Sequence, residues 1–387
     1  MNIIIAPAAF KGSLTAAAAV EAIRQGVRAV LPTAETVGLP LADGGEGTVE
    51  ALVTATRGHL VNTKVTGPLG APVEAWWGIL GDDITAVIEL AAASGLTLLP
   101  RELRNPLLTT TYGVGELIRA ALDTGCTRII IGLGGSATND GGAGIAQALG
   151  AELLDEADRP IGRGGAALAN LAKIRLDKLD PRLQKVHILL AADVSNPLYG
   201  PQGAAAIYAP QKGATPEMAE LLDQALRHYA EVIERELKLE VASVAGAGAA
   251  GGAGAGLMVF LKARLHRGIT LVLETLQFEE YLQAADLVIT GEGKIDTQIQ
   301  YGKAVAGVGS LAKRVGVPVV AVAGEVALDG ESLEEFGIAA ALPCVPGPMS
   351  EAEAMAQAPE LVQEATEKLM RLVLTGDKIS RRWQEAK

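Results

Sequence analysis

The residues best suited to chemistry lie in one glycine-dense stretch: Arg128-Ile-Ile-Ile-Gly132-Leu-Gly134-Gly135-Ser136-Ala137-Thr138-Asn139-Asp140-Gly141-Gly142-Ala143-Gly144. An apolar strand pattern runs into a glycine loop, and a helix pattern follows. Glycines let backbone N–H groups turn toward a bound anion, and a helix N-terminus adds the positive end of its dipole. Ser136, Thr138, Asn139 and Asp140 add hydroxyl, amide and carboxylate groups to that loop. Gly132-x-Gly134-x-x-Ala137 also satisfies the dinucleotide fingerprint, with Asp155 near the place of a ribose-binding acid. Against that reading, Asn139-Asp140-Gly141-Gly142 interrupts a helix that would have to begin there.

Four further loops repeat the theme. Ala42-Asp43-Gly44-Gly45-Glu46-Gly47-Thr48 places two acids in a glycine turn after a strand, which suits a metal or a substrate hydroxyl. Thr290-Gly291-Glu292-Gly293-Lys294-Ile295-Asp296 does the same late in the chain. In Ala191-Ala192-Asp193-Val194-Ser195-Asn196-Pro197 a strand ends at Asp193 and a proline sets Asn196. Gly246 to Gly256 alternates glycine and alanine, which serves either a phosphate cradle or close packing. Five such loops together imply one cleft handling phosphate and metal. Lys11, Lys212 and Lys303, each flanked by Gly or Pro nearby, are the cations that could meet an anionic group.

Phosphoryl transfer needs donors for the phosphates, carboxylates for Mg²⁺ and a carboxylate near the acceptor hydroxyl. These loops supply all three. The chain has no G-x-x-x-x-G-K-[ST] P-loop, no protein-kinase motif set, no G-x-S-x-G elbow and no H-E-x-x-H. His59, His187, His228 and His266 lack ligand spacing and read as structural or exposed.

The elements that must position these loops alternate between strand and helix. Strand patterns at 2–6, 35–41, 128–133, 187–192, 287–290 and 317–323 are interleaved with helix patterns at 15–30, 47–56, 114–123, 143–149, 215–237 and 303–315. Segments 60–66, 73–79 and 85–90, split by Gly-Pro-Leu-Gly and Gly-Asp-Asp turns, read as an antiparallel meander. The last third resembles the first sixty residues in rhythm. The fold expected is α/β: a Rossmann-like parallel sheet domain formed by both chain ends, residues 1–58 and 276–387, with a second α/β domain, residues 59–275, inserted. The charged run after Gly376 reads as a frayed, solvated end.

Composition bounds the function. With 387 residues, 49% of them hydrophobic, the chain has ample material for two domains and their cores. A formal net charge of −12 argues against a nucleic-acid partner, which needs a basic face. Cys126 and Cys344 are far apart without metal-ligand spacing and read as reduced thiols of a cytoplasmic protein. The N-terminus lacks a signal-peptide pattern, and the Ala/Gly stretch 245–261 is short of a membrane span.

Taken in order, seven motifs resemble the type-1 glycerate kinases of bacteria. They are Phe10-Lys11-Gly12-Ser13-Leu14, Ala42 to Thr48, Gly132 to Gly142, Ala192-Asp193-Val-x-Asn196-Pro197-Leu198, Pro210-Gln211-Lys212-Gly213-Ala214, Gly246 to Gly252 and Thr290 to Gly293. The resemblance runs from the first strand to about Leu374. It implies ATP and Mg²⁺ as cofactors, D-glycerate as acceptor, 2-phosphoglycerate as the usual product, and two α/β domains with the second inserted in the first. The chain departs from the family pattern at Ala8-Ala9, where Asp-Ser is usual, and at Ile299, where Thr or Ser is usual; Thr297 is the expected substitute for the second.

Within that resemblance Asp193 is the first candidate for the base at the acceptor hydroxyl and Asp43 the second. Lys11 is assigned to an anionic group, and Ser136 with its neighbouring N–H groups to phosphate. Glu292 and Asp296 are assigned to Mg²⁺ or the nucleotide. Ser13, Gly44, Gly45, Glu46, Gly134, Gly135, Thr138, Asn139, Asp140, Asn196, Lys212 and Lys303 complete the expected substrate and nucleotide contacts. Two other classes compete: a nicotinamide-dependent oxidoreductase on Gly132–Ala137, and a catalytically impaired ligand sensor, suggested by Ala8-Ala9. The expected partners are a small-molecule substrate and a nucleotide, with neither nucleic acid nor membrane; a homo-oligomer is compatible with the sequence.

Overall fold

A computed structural model describes residues 1–301 and 303–385. Gly302, the middle of the Tyr301–Lys303 motif, and Ala386 and Lys387 at the charged end lie outside the described residues. Strands are numbered along the chain: β1 (Asn2–Pro7), β2 (Glu35–Gly38), β3 (His59–Thr66), β4 (Pro72–Ile79), β5 (Thr85–Glu89) and β6 (Arg128–Gly132). There follow β7 (Glu152–Leu154), β8 (Lys173–Arg175), β9 (His187–Ala191) and β10 (Arg264–His266). The last three are β11 (Leu287–Ile295), β12 (Val319–Val326) and β13 (Ala340–Pro343).

The chain forms two compact units. The first comprises Met1–Asp43, Glu50–Ala55 and the chain from Ile269 onward; the second comprises Gly44–Val49 and Thr56–Gly268.

In the first unit a parallel sheet runs in the order β13-β12-β11-β1-β2. Its inner strands are covered on both faces and therefore read as unbroken apolar runs, as in Ile3-Ile4-Ile5, all buried. The following helix, Ala16–Val30, is capped by Thr15, whose hydroxyl accepts from the Ala18 N–H at 3.2 Å. Gly26 on that helix admits the helix Ala358–Glu385, since a Cβ there would stand 2.6 Å from Thr366 Cβ. That last helix corrects the expected fray: it continues to Glu385, and its end is solvated.

The expected loop 290–296 is also corrected, because β11 continues through Gly291, Glu292 and Gly293 to Ile295. Gly291 pairs with Val322, and a Cβ there would lie 2.2 Å from the Val322 carbonyl oxygen. The glycines therefore serve sheet packing as well as access.

The second unit carries a sheet ordered β10-β9-β6-β5-β4-β3. The meander β3-β4-β5 is antiparallel, and β5, β6, β9 and β10 are parallel. Parallel pairing brings the carboxyl ends of β5, β6 and β9 to one edge, where ligands of open α/β sheets bind. A separate antiparallel pair, β7 and β8, follows the glycine loop. Among the described residues no helix is long and apolar enough to cross a membrane.

Candidate functional site

The predicted residues fall into two constellations, one in each unit. In the first unit β1 ends at Pro7, and the Ala8 N–H donates to the Gly291 carbonyl at 2.8 Å. Phe10 and Leu14 close the next turn through reciprocal backbone bonds of 2.9 Å, and Ser13 Oγ donates back to the Phe10 carbonyl at 3.0 Å. This turn holds Lys11 at an exposed tip, while its backbone lies against Gly293, where a Cβ would stand 3.3 Å from the Lys11 nitrogen. Ser13 is thus occupied in shaping the turn.

Beside it, Glu292 is 8% exposed, with its Oε2 3.8 Å from Lys303 Nζ. Its Oε1 is buried without a hydrogen-bond partner. Burial pushes its carboxyl up to about 7; Lys303 pulls back, while Asp43 and Asp296 add to the push. Asp43 is exposed beyond Leu41, and Asp296 Oδ1 accepts the Gln298 N–H at 2.9 Å. Among the described residues no three His, Cys, Asp or Glu side chains form a ready metal cage. An orphaned carboxylate oxygen with two more carboxylates in its field does fit Mg²⁺, which takes one or two carboxylates and keeps phosphate and water as its other ligands. Ile299 is 1% exposed in a cluster with Ile295, Val305 and Leu333, whereas Thr297 is exposed. The departure at Ile299 is therefore a packing residue.

In the second unit Glu89, Gly132 and Ala191 end three neighbouring strands in register. The segment Gly44–Val49 lies across them. A Cβ on Gly132 would stand 2.5 Å from the Gly44 carbonyl oxygen, and one on Gly134 2.7 Å from Gly45 Cα. A Cβ on Gly44, whose φ is +88°, would meet the Ala191 carbonyl oxygen at 2.6 Å. The Gly134 N–H donates to the Gly44 carbonyl at 3.3 Å, and the Val49 N–H to Glu89 Oε1 at 2.9 Å. Glycine is required here by proximity: two loops pass at backbone contact. Asp193 follows β9 on the same edge and is exposed, its Oδ1 accepting the Gly268 N–H at 2.9 Å.

The glycine loop after β6 divides into an open and a closed part. Gly134 is half-buried and Gly135 exposed, whereas Ser136, Thr138, Asn139 and Asp140 are 7%, 0%, 0% and 1% exposed. Asp140 accepts from the Thr111 N–H at 2.7 Å, the Thr111 and Thr110 hydroxyls at 3.0 and 3.3 Å, and the Gly142 and Gly144 N–H groups. Burial raises its carboxyl, and the N–H donors oppose that rise. Lys212, expected to meet an anionic group of substrate or nucleotide, is 1% exposed and donates to Ser136 Oγ and the Thr138 carbonyl. Burial lowers its ammonium to about 7, with Asp140 opposing. These side chains brace the loop from beneath. Gly134 and Gly135 are the part that faces outward. Thr138 Oγ1 and both ends of the Asn139 amide are buried without hydrogen-bond partners.

Other expectations resolve as packing. Asn196 Nδ2 donates to the Gln202 carbonyl at 2.8 Å and its Oδ1 accepts from Tyr208 at 2.6 Å, so its amide holds its own loop. Gly246–Gly256 packs closely: a Cβ on Gly251 would stand 2.0 Å from the Thr138 carbonyl oxygen, and one on Gly256 2.3 Å from that of Gly141. The dinucleotide reading fails on topology. The helix after the loop begins at Ala143, past left-handed Gly141 and Gly142. Asp155 follows β7, outside β6's sheet, and bonds to the Arg159 backbone and guanidinium in an exposed turn.

Two features escaped the sequence reading. Thr109-Thr110-Thr111 is wholly buried against the loop, with Thr109 donating to the Ala137 carbonyl at 2.8 Å. Glu89 was legible as an acid ending a strand, the property that drew notice to Asp43 and Asp193.

Residues 3–374 match the glycerate kinase family. The glycerate kinase of Halalkalibacterium halodurans is 53% identical over 364 residues, 94% of this chain and 96% of that one. The glycerate 2-kinase of Escherichia coli is 51% identical over 338 residues, covering 87% and 89%. A crystal structure from Salmonella typhimurium LT2, provisionally described as a glycerate kinase 2, superposes with a TM-score of 0.90 at 49% identity, covering 98% and 99%. With its glycine loops gathered at the carboxyl ends of parallel strands and its relatives matched nearly end to end, this chain belongs to the glycerate kinase family.

Proposed function

We propose that this protein is a glycerate 2-kinase, moving the γ-phosphoryl group of ATP to the 2-hydroxyl of D-glycerate and releasing 2-phosphoglycerate and ADP. The observation that carries the reading is positional. Five motif-bearing segments, beyond β1, β2, β6 and β9 and within the end of β11, sit at carboxyl ends of parallel strands in a chain of this family.

Asp193 is the proposed base. Its Oδ1 is oriented by the Gly268 N–H, and it takes the proton as the 2-hydroxyl oxygen bonds to the γ-phosphorus and the bond to the β-phosphate oxygen breaks. Asp43 is the second candidate for that base. Lys11, on its exposed tip, meets a phosphate or the glycerate carboxylate. The Gly134 and Gly135 backbone cradles an anion, and Gly44–Glu46 binds a substrate hydroxyl. Glu292 and Asp296 would hold Mg²⁺, which when bound neutralises charge on the phosphate oxygens; Lys303 balances the Glu292 carboxylate. Most of the catalysis is positioning and charge stabilisation. The two free, buried cysteines fit a cytoplasmic enzyme.

Phosphorus NMR of the product formed from ATP and D-glycerate tests the reading. A 2-phosphoglycerate resonance is expected; a 3-phosphoglycerate resonance would refute the regiochemistry, and nucleotide binding without ADP release would leave a ligand sensor instead.

A further inference from the structure

Glu89 is a half-buried carboxylate at the end of β5 with no role in the chemistry above. Its Oε1 accepts the Val49 N–H at 2.9 Å, and the Gly47 and Thr48 N–H groups also favour its ionised form. Burial and the nearby Glu46 push the other way, and the net direction is upward. The Val49 N–H, in the first turn of the helix Thr48–Thr56, is thus hydrogen-bonded to a carboxylate from a different strand, while the Thr48 N–H donates to the Gly45 carbonyl at 3.3 Å. An anion at this position satisfies a donor that the helix leaves open and complements the dipole.

The placement reaches beyond helix capping. Gly44 and Gly45 are pinned at the other end of the segment by backbone contact with Ala191, Gly132 and Gly134. Between these anchors lies Glu46, exposed, with Gly47 at a φ of +88°. The segment is fastened at Gly44–Gly45 by close approach and at Val49 by its hydrogen bond to Glu89. The direction of Glu46 follows from the two fastenings.

We infer that Glu89 is a positioning residue, fixing Val49 on the end of β5 so that the Glu46 carboxylate is aimed at the acceptor substrate. This rests on the reading of Gly44–Glu46 as a substrate-binding segment.

The test is a double-mutant cycle of Glu89→Gln and Glu46→Gln in the full chain, with hydrogen exchange of residues 44–49 and a melting curve for each variant. Gln at 89 keeps the volume and one acceptor oxygen; Glu89→Asp, which keeps the charge on a shorter arm, replaces it if the first variant does not accumulate. The expected result is a fall in kcat/KM for glycerate of roughly tenfold to a hundredfold in Glu89→Gln, the scale of a small misplacement. KM for ATP should hold, exchange at 44–49 should quicken, and the loss should not multiply with that of Glu46→Gln. Wild-type kinetics in Glu89→Gln, or losses that multiply in full, would overturn the inference and leave a helix cap. If Glu46→Gln is itself fully active, the reading of the segment as substrate-binding fails, and exchange decides alone: faster exchange in Glu89→Gln supports the positioning role, unchanged exchange overturns it.

Discussion

Lys212 Nζ donates to Ser136 Oγ at 2.8 Å, across 76 residues of chain, with both side chains out of water. A second bond of 2.6 Å ties the same nitrogen to the Thr138 carbonyl. The cation sits beneath the glycine loop and fixes its curvature. Lys212→Met should therefore leave the Ser136 hydroxyl and the Thr138 carbonyl unpartnered, at a cost of about 1–3 kcal/mol per buried group. Activity should fall more than stability, because the loop relaxes.

The same lysine predicts a pH effect on stability. Its ammonium is lowered to about 7 in the folded protein, from 10.5. Between those values the unfolded chain binds a proton that the native chain does not, so stability should rise with pH across that window. Denaturation of wild type against Lys212→Met at several pH values between 7 and 10.5 measures it. A difference that stays flat would contradict the lowered value.

Asp193→Asn should cut kcat by roughly two to four orders of magnitude, the usual worth of a positioned base. The amide can keep the bond from the Gly268 N–H by presenting its oxygen, so the melting temperature should hold. Turnover near wild type would remove Asp193 from the base role and move attention to Asp43.

If Glu292 holds Mg²⁺ as proposed, it should link nucleotide binding to pH. Its carboxyl lies near 7 in the free protein, so the ionised form that attracts a cation grows as pH rises through that value. Calorimetric affinity for Mg²⁺ with ATP should strengthen from pH 6 to pH 8 in the wild type. Glu292→Gln should flatten that dependence and weaken binding. Chelation with EDTA should abolish turnover, and added Mg²⁺ should restore it.

Gly251→Ala should destabilise the second unit by about 3 kcal/mol or more, combining overpacking with a left-handed backbone. The φ there is +69°, and the added Cβ would stand 2.0 Å from the Thr138 carbonyl oxygen. Denaturant titration reads the loss directly; a stability within 1 kcal/mol of wild type would show that the two glycine segments can part.

Much of the architecture was legible because parallel strands buried on both faces leave continuous apolar runs, as Ile3-Ile4-Ile5 and Ile129-Ile130-Ile131 do. The loops were legible for a related reason: backbone at close approach demands glycine, and glycine clusters stand out. What the sequence did not convey was direction. Ser136 and Gly135 are adjacent, yet one is closed inside and the other open, and no local pattern distinguishes them. Lys212 read as a ligand-binding cation, and its bracing role was hidden because its partners lie over seventy residues away. Glu292 looked like a loop residue because its flanking glycines hid the continuation of β11. Glu89 went unnoticed because a strand-end acid beside no glycine carries little local contrast.

The threading of the chain through the two units bears on how the protein is made. β1 sits inside its sheet between β2 and β11, and Ile3 pairs with Leu287. At ribosomal rates of about 5–20 residues per second, β1 and β2 wait roughly a quarter of a minute to a minute before that neighbour is synthesised. Over the same interval every segment of the second unit, ending at Gly268, has been made. The nascent chain therefore carries an apolar strand pair with an open edge while the middle of the protein can already fold. Chaperone demand during synthesis should track that exposed edge, and a pause introduced before Leu287 should lengthen it.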